Sequence, residues 1–185
     1  MISSTMQKAI NEQINKELYS SYLYLSMAAY FESKNLPGFA KWMHVQAGEE
    51  HEHGMKFFKY LVDRGGVVEL KAIAAPETDW KSYLAVFKQV QEHEAFVTAS
   101  IYALYELAQK EKDYPSELML QWFINEQVEE EKNAADIVQQ LELIDAKGTA
   151  VLMLDHQLGK RGNDRSVKII RRRNPPDFSL TTRGE

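Results

Sequence analysis

The stretch Glu49-Glu50-His51-Glu52-His53 decides the reading of this chain. Around it, helical spacing puts Phe39, Met43, Gln46, Glu50, His53, Phe57 and Tyr60 on one face, in alternating steps of four and three. Such a seam is ordinarily apolar, because it is the stripe that a helix buries against its neighbours. Here its two central members are a carboxylate and an imidazole three residues apart, so both project from the same side of the helix. An isolated carboxylate in an apolar interior is costly unless it is paired or holds a metal ion. Three other segments interrupt their own seams in the same way.

Upstream, residues 6–33 carry the seam Ile10, Ile14, Glu17, Ser21, Tyr24, Ala28 and Phe31, ended by the break Asn35-Leu36-Pro37-Gly38. The central segment runs from Phe39 to Arg64 and closes on Gly65-Gly66, as a helix C-terminus does. Residues 67–79 have no helical period and include Pro76. A third helix is expected over 80–111, with Phe87, Val90, Glu94, Val97, Ile101, Leu104 and Ala108 inward. Asp113-Tyr114-Pro115 then turns into a fourth helix over 116–145, whose seam is Leu120, Phe123, Gln127, Glu130, Ala134, Ile137, Leu141 and Ile144. Gly148 breaks the chain again before a short helix over Thr149–Leu158. No strand alternation competes, so the fold class is all-α.

Connection lengths set the topology. The first and third joints are a few residues long, so each joins an antiparallel pair. The second, about 13 residues, spans ~43 Å when extended, and a 28-residue helix is ~42 Å long. It can therefore run the length of the bundle and make the second and third helices parallel. The expected architecture is a four-helix bundle with one long crossover and a short fifth helix, occupying residues 1–159.

The chain of 185 residues has net charge −5 and no cysteine, which excludes a disulfide scaffold, Cys-ligated zinc, iron–sulfur centres and thiol catalysis. Residues 160–185 hold 8 basic and 3 acidic side chains, against 14 and 24 in residues 1–159. The body is acidic and the tail basic. Residues Met1–Thr5 show no basic region followed by an apolar run, and no run of about 18 apolar residues exists. A cytoplasmic protein with no membrane partner is expected.

Glu17, Glu50, Glu94 and the pair Gln127/Glu130 each fall near the middle of a long helix, so all share one level of the bundle whichever way each helix runs. Any one of them could be a solvated or salt-bridged helix residue, or part of a polar layer that fixes register. Four seams broken at one depth favour metal instead, because clustered carboxylates in a dry interior do not all ionise without cations. Oxygen-rich ligation with a single imidazole suits Fe(II) or Mn(II) better than structural zinc.

These motifs, with Asn15-Lys16-Glu17-Leu18-Tyr19-Ser20-Ser21-Tyr22 and Asn125-Glu126-Gln127-Val128-Glu129-Glu130-Glu131, resemble those of bacterial non-haem ferritins over about residues 5–160. The resemblance implies a ferritin-like di-iron bundle. Glu17, Glu50 and His53 would hold one iron, and Glu50, Glu94 and Glu130 the other, with Glu50 bridging. Gln127 would hydrogen-bond the oxygen species or water at the second iron. A third iron site would use Glu49, Glu126, Glu129 and Glu130. Tyr24 takes the place of the family's tyrosine beside the centre; its plainer reading is a core tyrosine with a satisfied hydroxyl. The resemblance also implies a ferroxidase, a 24-subunit homo-oligomeric cage that stores ferric mineral, and dioxygen or hydrogen peroxide as oxidant.

Departures from relatives narrow the reading. Gln127-Val128-Glu129-Glu130 stands where bacterioferritins carry a second Glu-x-x-His, and Glu52 stands where they carry a haem-ligating methionine, so haem is not expected. The absence of Cys-x-x-Cys pairs argues against a rubrerythrin, and the long fourth helix with a fifth argues against the small Dps-type cages. His44, His51 and His93 fall off the seams and read as surface residues, while His156 could line a channel in a cage. Trp42, Trp80 and Trp122 read as packing residues. The basic tail reads as a flexible solvated arm; with Phe178 its one aromatic, it makes a poor nucleic-acid partner. Two alternatives to storage stand beside it: a di-iron oxidoreductase or peroxidase without mineral, and a structural or nucleic-acid-binding bundle that uses the tail.

Overall fold

The computed structural model describes residues 1–144 and 148–161. Every regular element among them is a helix: α1 (Ser4–Ser33), α2 (Pro37–Asp63), α3 (Tyr83–Glu111), α4 (Tyr114–Leu143) and α5 (Thr149–Leu158). The ends follow local chemistry. Ser3, Ser82 and Asp113 cap α1, α3 and α4, their side-chain oxygens accepting from the backbone N–H groups of Met6, Ala85 and Ser116. Pro37 starts α2 where its missing N–H removes no bond, and Gly65 beyond the end of α2 takes a φ of +72°. The third helix starts at Tyr83 rather than at residue 80, because the Ser82 cap prevails over the apolar pattern around Trp80.

The crossover, residues 64–82, runs along α1, which supplies many of its hydrogen-bond partners. Asn11 bonds Val67 and Glu69, Asn15 donates to the carbonyl of Ala72, Ser26 to that of Glu77, and the Tyr30 hydroxyl to that of Trp80. The contacts climb α1 in order, from Asn11 to Tyr30. The crossover therefore delivers the chain to the end of the bundle where α2 begins, and α2 and α3 run parallel.

The core is divided in two. One apolar cluster holds Tyr24, Phe31, Phe39, Trp42, Phe87 and the inward residues of α5; the other holds Ile10, Ile14, Phe57, Ile101, Leu120 and Phe123. At the junction of the two clusters, on all four long helices, lie the buried polar residues Gln13, Glu17, Gln46, Glu50, His53, Glu94, Gln127 and Glu130.

The short α5 docks on the start of α2. Asp155 Oδ1 accepts from the Phe39 N–H at 2.9 Å, and the Lys41 ammonium donates to the Gly159 carbonyl at 2.8 Å. A Cβ on Gly38 would lie 1.7 Å from the Asp155 carbonyl oxygen, so only glycine allows this approach. Gly38→Ala should undock α5 or destabilise the subunit by about 1–3 kcal/mol, the usual range for overpacking. Thermal unfolding and hydrogen exchange over Thr149–Leu158 would check this; an unchanged exchange rate there would refute it.

Candidate metal centre

The site is assembled from one face of each long helix. On α1 and α2, one ligand atom from each of Glu17, Glu50 and His53 lies within 4.8 Å of the others, and all three residues are buried. His53 Nδ1 is 3.4 Å from Glu50 Oε2. Donors to one cation at about 2.1 Å from each sit roughly 3–4 Å apart, so small rotations would close this set.

Glu94 and Glu130 lie across from them on α3 and α4. Gln46 ties the two halves together, its Nε2 donating to Glu50 Oε1 and to Glu130 Oε2 at 2.9 Å each. Gln127 donates to Glu94 Oε2 at 3.3 Å and to Thr98 Oγ1 at 3.1 Å. The Tyr24 hydroxyl donates to Glu94 Oε1. Gln13 donates to Glu17 Oε1 at 2.8 Å and accepts from Ser100 at 2.9 Å. Glu17 Oε2 is buried and has no hydrogen-bond partner. A buried oxygen left this way is rare unless something else binds it, and a cation is the natural partner for a carboxylate set with one imidazole.

The third group named from the sequence differs in burial along its length, and its Glu49 charge acts on Glu130. Glu49 is buried, Glu126 half-buried and Glu129 exposed. Glu49 Oε2 meets Arg161 at 2.7 Å. His44 and His51 are exposed, but His93 is not the surface residue expected of it. It is half-buried, lies 2.8 Å from Ser20 Oγ, and packs edge-on against Tyr24. The off-seam face it occupies is covered by α1, which one-helix periodicity does not reveal. Arg161 departs from expectation too: it folds onto α2 instead of extending into solvent. The rest of the basic tail, residues 162–185, lies outside the described residues.

A ferritin-like domain model matches residues 7–144. The chain is 42% identical over 161 residues to a bacterial non-heme ferritin of Bacteroides fragilis, covering 87% of this chain and all of that one. Its counterpart in Staphylococcus aureus is 37% identical over 164 residues, covering 89% and 99%. This chain belongs to the ferritin family. An open-pore ferritin from the hyperthermophilic archaeon Archaeoglobus fulgidus superposes with a TM-score of 0.86 at 51% identity, over 86% of this chain and 98% of that one. An engineered closed form of the same ferritin gives 0.86 at 50%, over 87% and 98%.

In this ferritin the cluster is electrostatically frustrated without a cation. Burial, then the Glu50 charge, pushes Glu17 up to about 8. Burial and the same charge push Glu130 up to about 7, and Glu94 rises well above the carboxylate range for the same reasons. Burial also pushes Glu50 upward, but the His53 bond and charge, helped by Gln46, outweigh it and hold Glu50 below its ordinary value. Burial opposes charge on His53, yet Glu50 raises it to about 9. Burial and Glu94 also raise Tyr24, so its hydroxyl keeps its proton. Without a cation, the site pairs Glu50 with His53 among carboxyls shifted toward their protonated forms.

Gln13, Gln46, Thr98 and Ser100 complete the polar layer beyond the residues that the sequence singles out. Gln46 lies on the α2 seam as a polar residue, which is signal enough to find it. Gln13 and Ser100 lie off the helix seams, and periodicity gives no signal for them.

The raised groups fix a pH dependence. Glu17, Glu130 and His53 each bind a proton more tightly folded than unfolded, so between about pH 5 and pH 9 the native state holds more protons and stability falls as pH rises. Metal-free protein should therefore melt at lower temperature at pH 9 than at pH 5–6, and Zn(II) should narrow the difference by exchanging for those protons. Thermal unfolding across pH, with and without Zn(II), tests this; a metal-free melting temperature that rises from pH 6 to pH 9 would contradict it.

Proposed function

We propose that this chain is an iron-storage ferroxidase, binding Fe(II) as substrate at the buried cluster and passing Fe(III) to mineral within a multi-subunit cage. Membership of the ferritin family supports iron storage; the oxidation, the paired site and a 24-subunit shell are our reading. The observation that carries it is the convergence of Glu17, Glu50 and His53 at one end of a layer whose other end is Glu94, Gln127 and Glu130.

Charge balance favours two irons. With Glu17, Glu50, Glu94 and Glu130 ionised and His53 neutral, the layer carries a charge of about −4, which two divalent cations neutralise. Glu50 stands between the halves, hydrogen-bonded through Gln46 to Glu130 and adjoining His53, and is suited to bridge them. His53 and Glu17 complete one position, and Glu94 and Glu130 the other. Gln127, held by Thr98, would direct its amide toward the second position, and Tyr24 would orient Glu94.

Each Fe(II) gives up one electron. Dioxygen accepts the two electrons with two protons and leaves as hydrogen peroxide; hydrogen peroxide, accepting two more with two protons, leaves as two waters. The residues act as a template that holds both donors against one oxidant in a water-poor layer. Fe(III) then hydrolyses in the cavity, releasing protons. The His53 imidazolium and the carboxyl groups of the layer would hand their protons to solvent as iron enters, so uptake favours neutral to alkaline pH. With no helix among the described residues long and apolar enough to cross a membrane, a cytoplasmic setting suits this role.

The deciding experiment is anaerobic Fe(II) addition to metal-free protein, then air, with absorbance and elution volume followed together. Fast oxidation with many irons per chain co-eluting in a very large particle is the expected result. Two irons per chain in a small oligomer would replace storage by a di-iron oxidoreductase. Glu50→Ala or His53→Ala should slow rapid oxidation by more than the ~10–100-fold typical of losing a ligand's supporting partner. Circular dichroism and thermal unfolding should show a folded bundle with a lowered melting temperature, because each variant removes one partner of the buried Glu50–His53 pair. Unaltered oxidation in Glu50→Ala would refute the site.

A further inference from the structure

We propose that Arg161 acts as a built-in cation at Glu49, setting how weakly the third acidic position binds metal and holding Gln46 in the orientation the central carboxylates need. The inference rests on the reading of that layer as a metal centre. Arg161 reaches it from outside the bundle. The α5 contacts at Phe39, Lys41 and Gly38 fix the end of that helix, and two residues beyond Gly159 the Arg161 side chain lies along α2. Its guanidinium carbon sits 4.2 Å from the Trp42 ring centroid. Its Nη2 donates to Gln46 Oε1 and to Glu49 Oε2, both at 2.7 Å. Trp42, Gln46 and Glu49 follow at helical spacing along one stripe of α2, so one planar group stacks on the first and bonds the other two.

Two consequences follow from those contacts. Glu49 is only 6% exposed, so its ion pair with Arg161 is poorly screened, and a metal ion binding Glu49 must displace a charge-assisted hydrogen bond. Gln46 is used completely: its Nε2 serves Glu50 and Glu130, and its Oε1 serves Arg161. Reversing the amide would aim its oxygen at two carboxylate oxygens and its N–H groups at a guanidinium. Arg161 thus reinforces the amide orientation that Glu50 and Glu130 already favour. It is a positioning residue for these groups and a competitor for metal at Glu49. No other feature of the tail is needed for either role.

The test is calorimetric titration of redox-inert Zn(II) into the full-length assembled protein, comparing wild type with Arg161→Ala, Arg161→Lys, Glu49→Gln and the Arg161→Ala/Glu49→Gln double variant. Wild type should bind two equivalents tightly and a further one weakly. Arg161→Ala should tighten the weak one about 10- to 100-fold, the scale of a lost charge-assisted bond. Arg161→Lys, which keeps the charge without the fork or the stack, should fall between. The gain should vanish in the double variant, an outcome that mere loosening of the bundle does not produce. A weak site indifferent to Arg161→Ala, or a gain that survives Glu49→Gln, overturns this inference while leaving the central site standing. Absence of the two tight equivalents in wild type would instead bring down the ferroxidase reading and this inference with it. Elution volume and circular dichroism verify assembly of each variant, and Arg161→Lys supplies the comparison if the alanine variant does not assemble.

Discussion

The structure depends on one unresolved charge problem. Four carboxyl groups and one imidazole are enclosed between two apolar clusters, where ionised groups lose the hydration that would stabilise them. Glu50 and His53 settle part of it as an ion pair, and burial shifts Glu17, Glu94 and Glu130 toward their protonated forms. That arrangement lowers the layer's charge, yet every proton in it occupies a place that a cation could take. The arrangement also leaves Glu17 Oε2 buried without a hydrogen-bond donor, which a purely structural polar layer would be expected to satisfy.

The fold exists to hold these groups at one height. Parallel α2 and α3 require a long crossover, and a long crossover without secondary structure must place its backbone polar groups somewhere. Here α1 receives many of them through Asn11, Asn15, Ser26 and Tyr30. The same helix that carries Glu17 and Tyr24 inward thus carries the crossover on its outer side. Aromatic packing on each side of the layer, with Phe31 stacked on Phe39 in one cluster and Phe57 on Phe123 in the other, gives it rigid floors.

Amide side chains provide the fine positioning. Gln13 and Gln46 each lie four residues before a carboxylate of their own helix, Glu17 and Glu50, and each donates to it across one turn. Amides can do this without adding charge to a layer that already has too much. Their remaining oxygens then decide what lies beyond: Ser100 for Gln13 and Arg161 for Gln46. Through Gln46 the end of α5 is connected to the middle of the bundle by two hydrogen bonds.

The sequence by itself determined the all-helical bundle, its crossover and the level shared by Glu17, Glu50, His53, Glu94, Gln127 and Glu130, because a repeat of three and four records which face each helix buries. The helix ends were less legible: α1, α2 and α4 begin at Ser4, Pro37 and Tyr114, two residues before the periodic pattern does, and α3 begins at Tyr83, three residues after it, because the Ser3, Ser82 and Asp113 caps and the Pro37 start set the ends where periodicity does not. What periodicity does not contain is which helix covers a second face or how a chain end returns. The shelter of His93 under α1, the use of Gln13 and the seat of Arg161 on Trp42 and Glu49 were therefore decided by tertiary structure alone. Each depends on two elements distant in sequence meeting at hydrogen-bond range, and no spacing along a single helix records that distance.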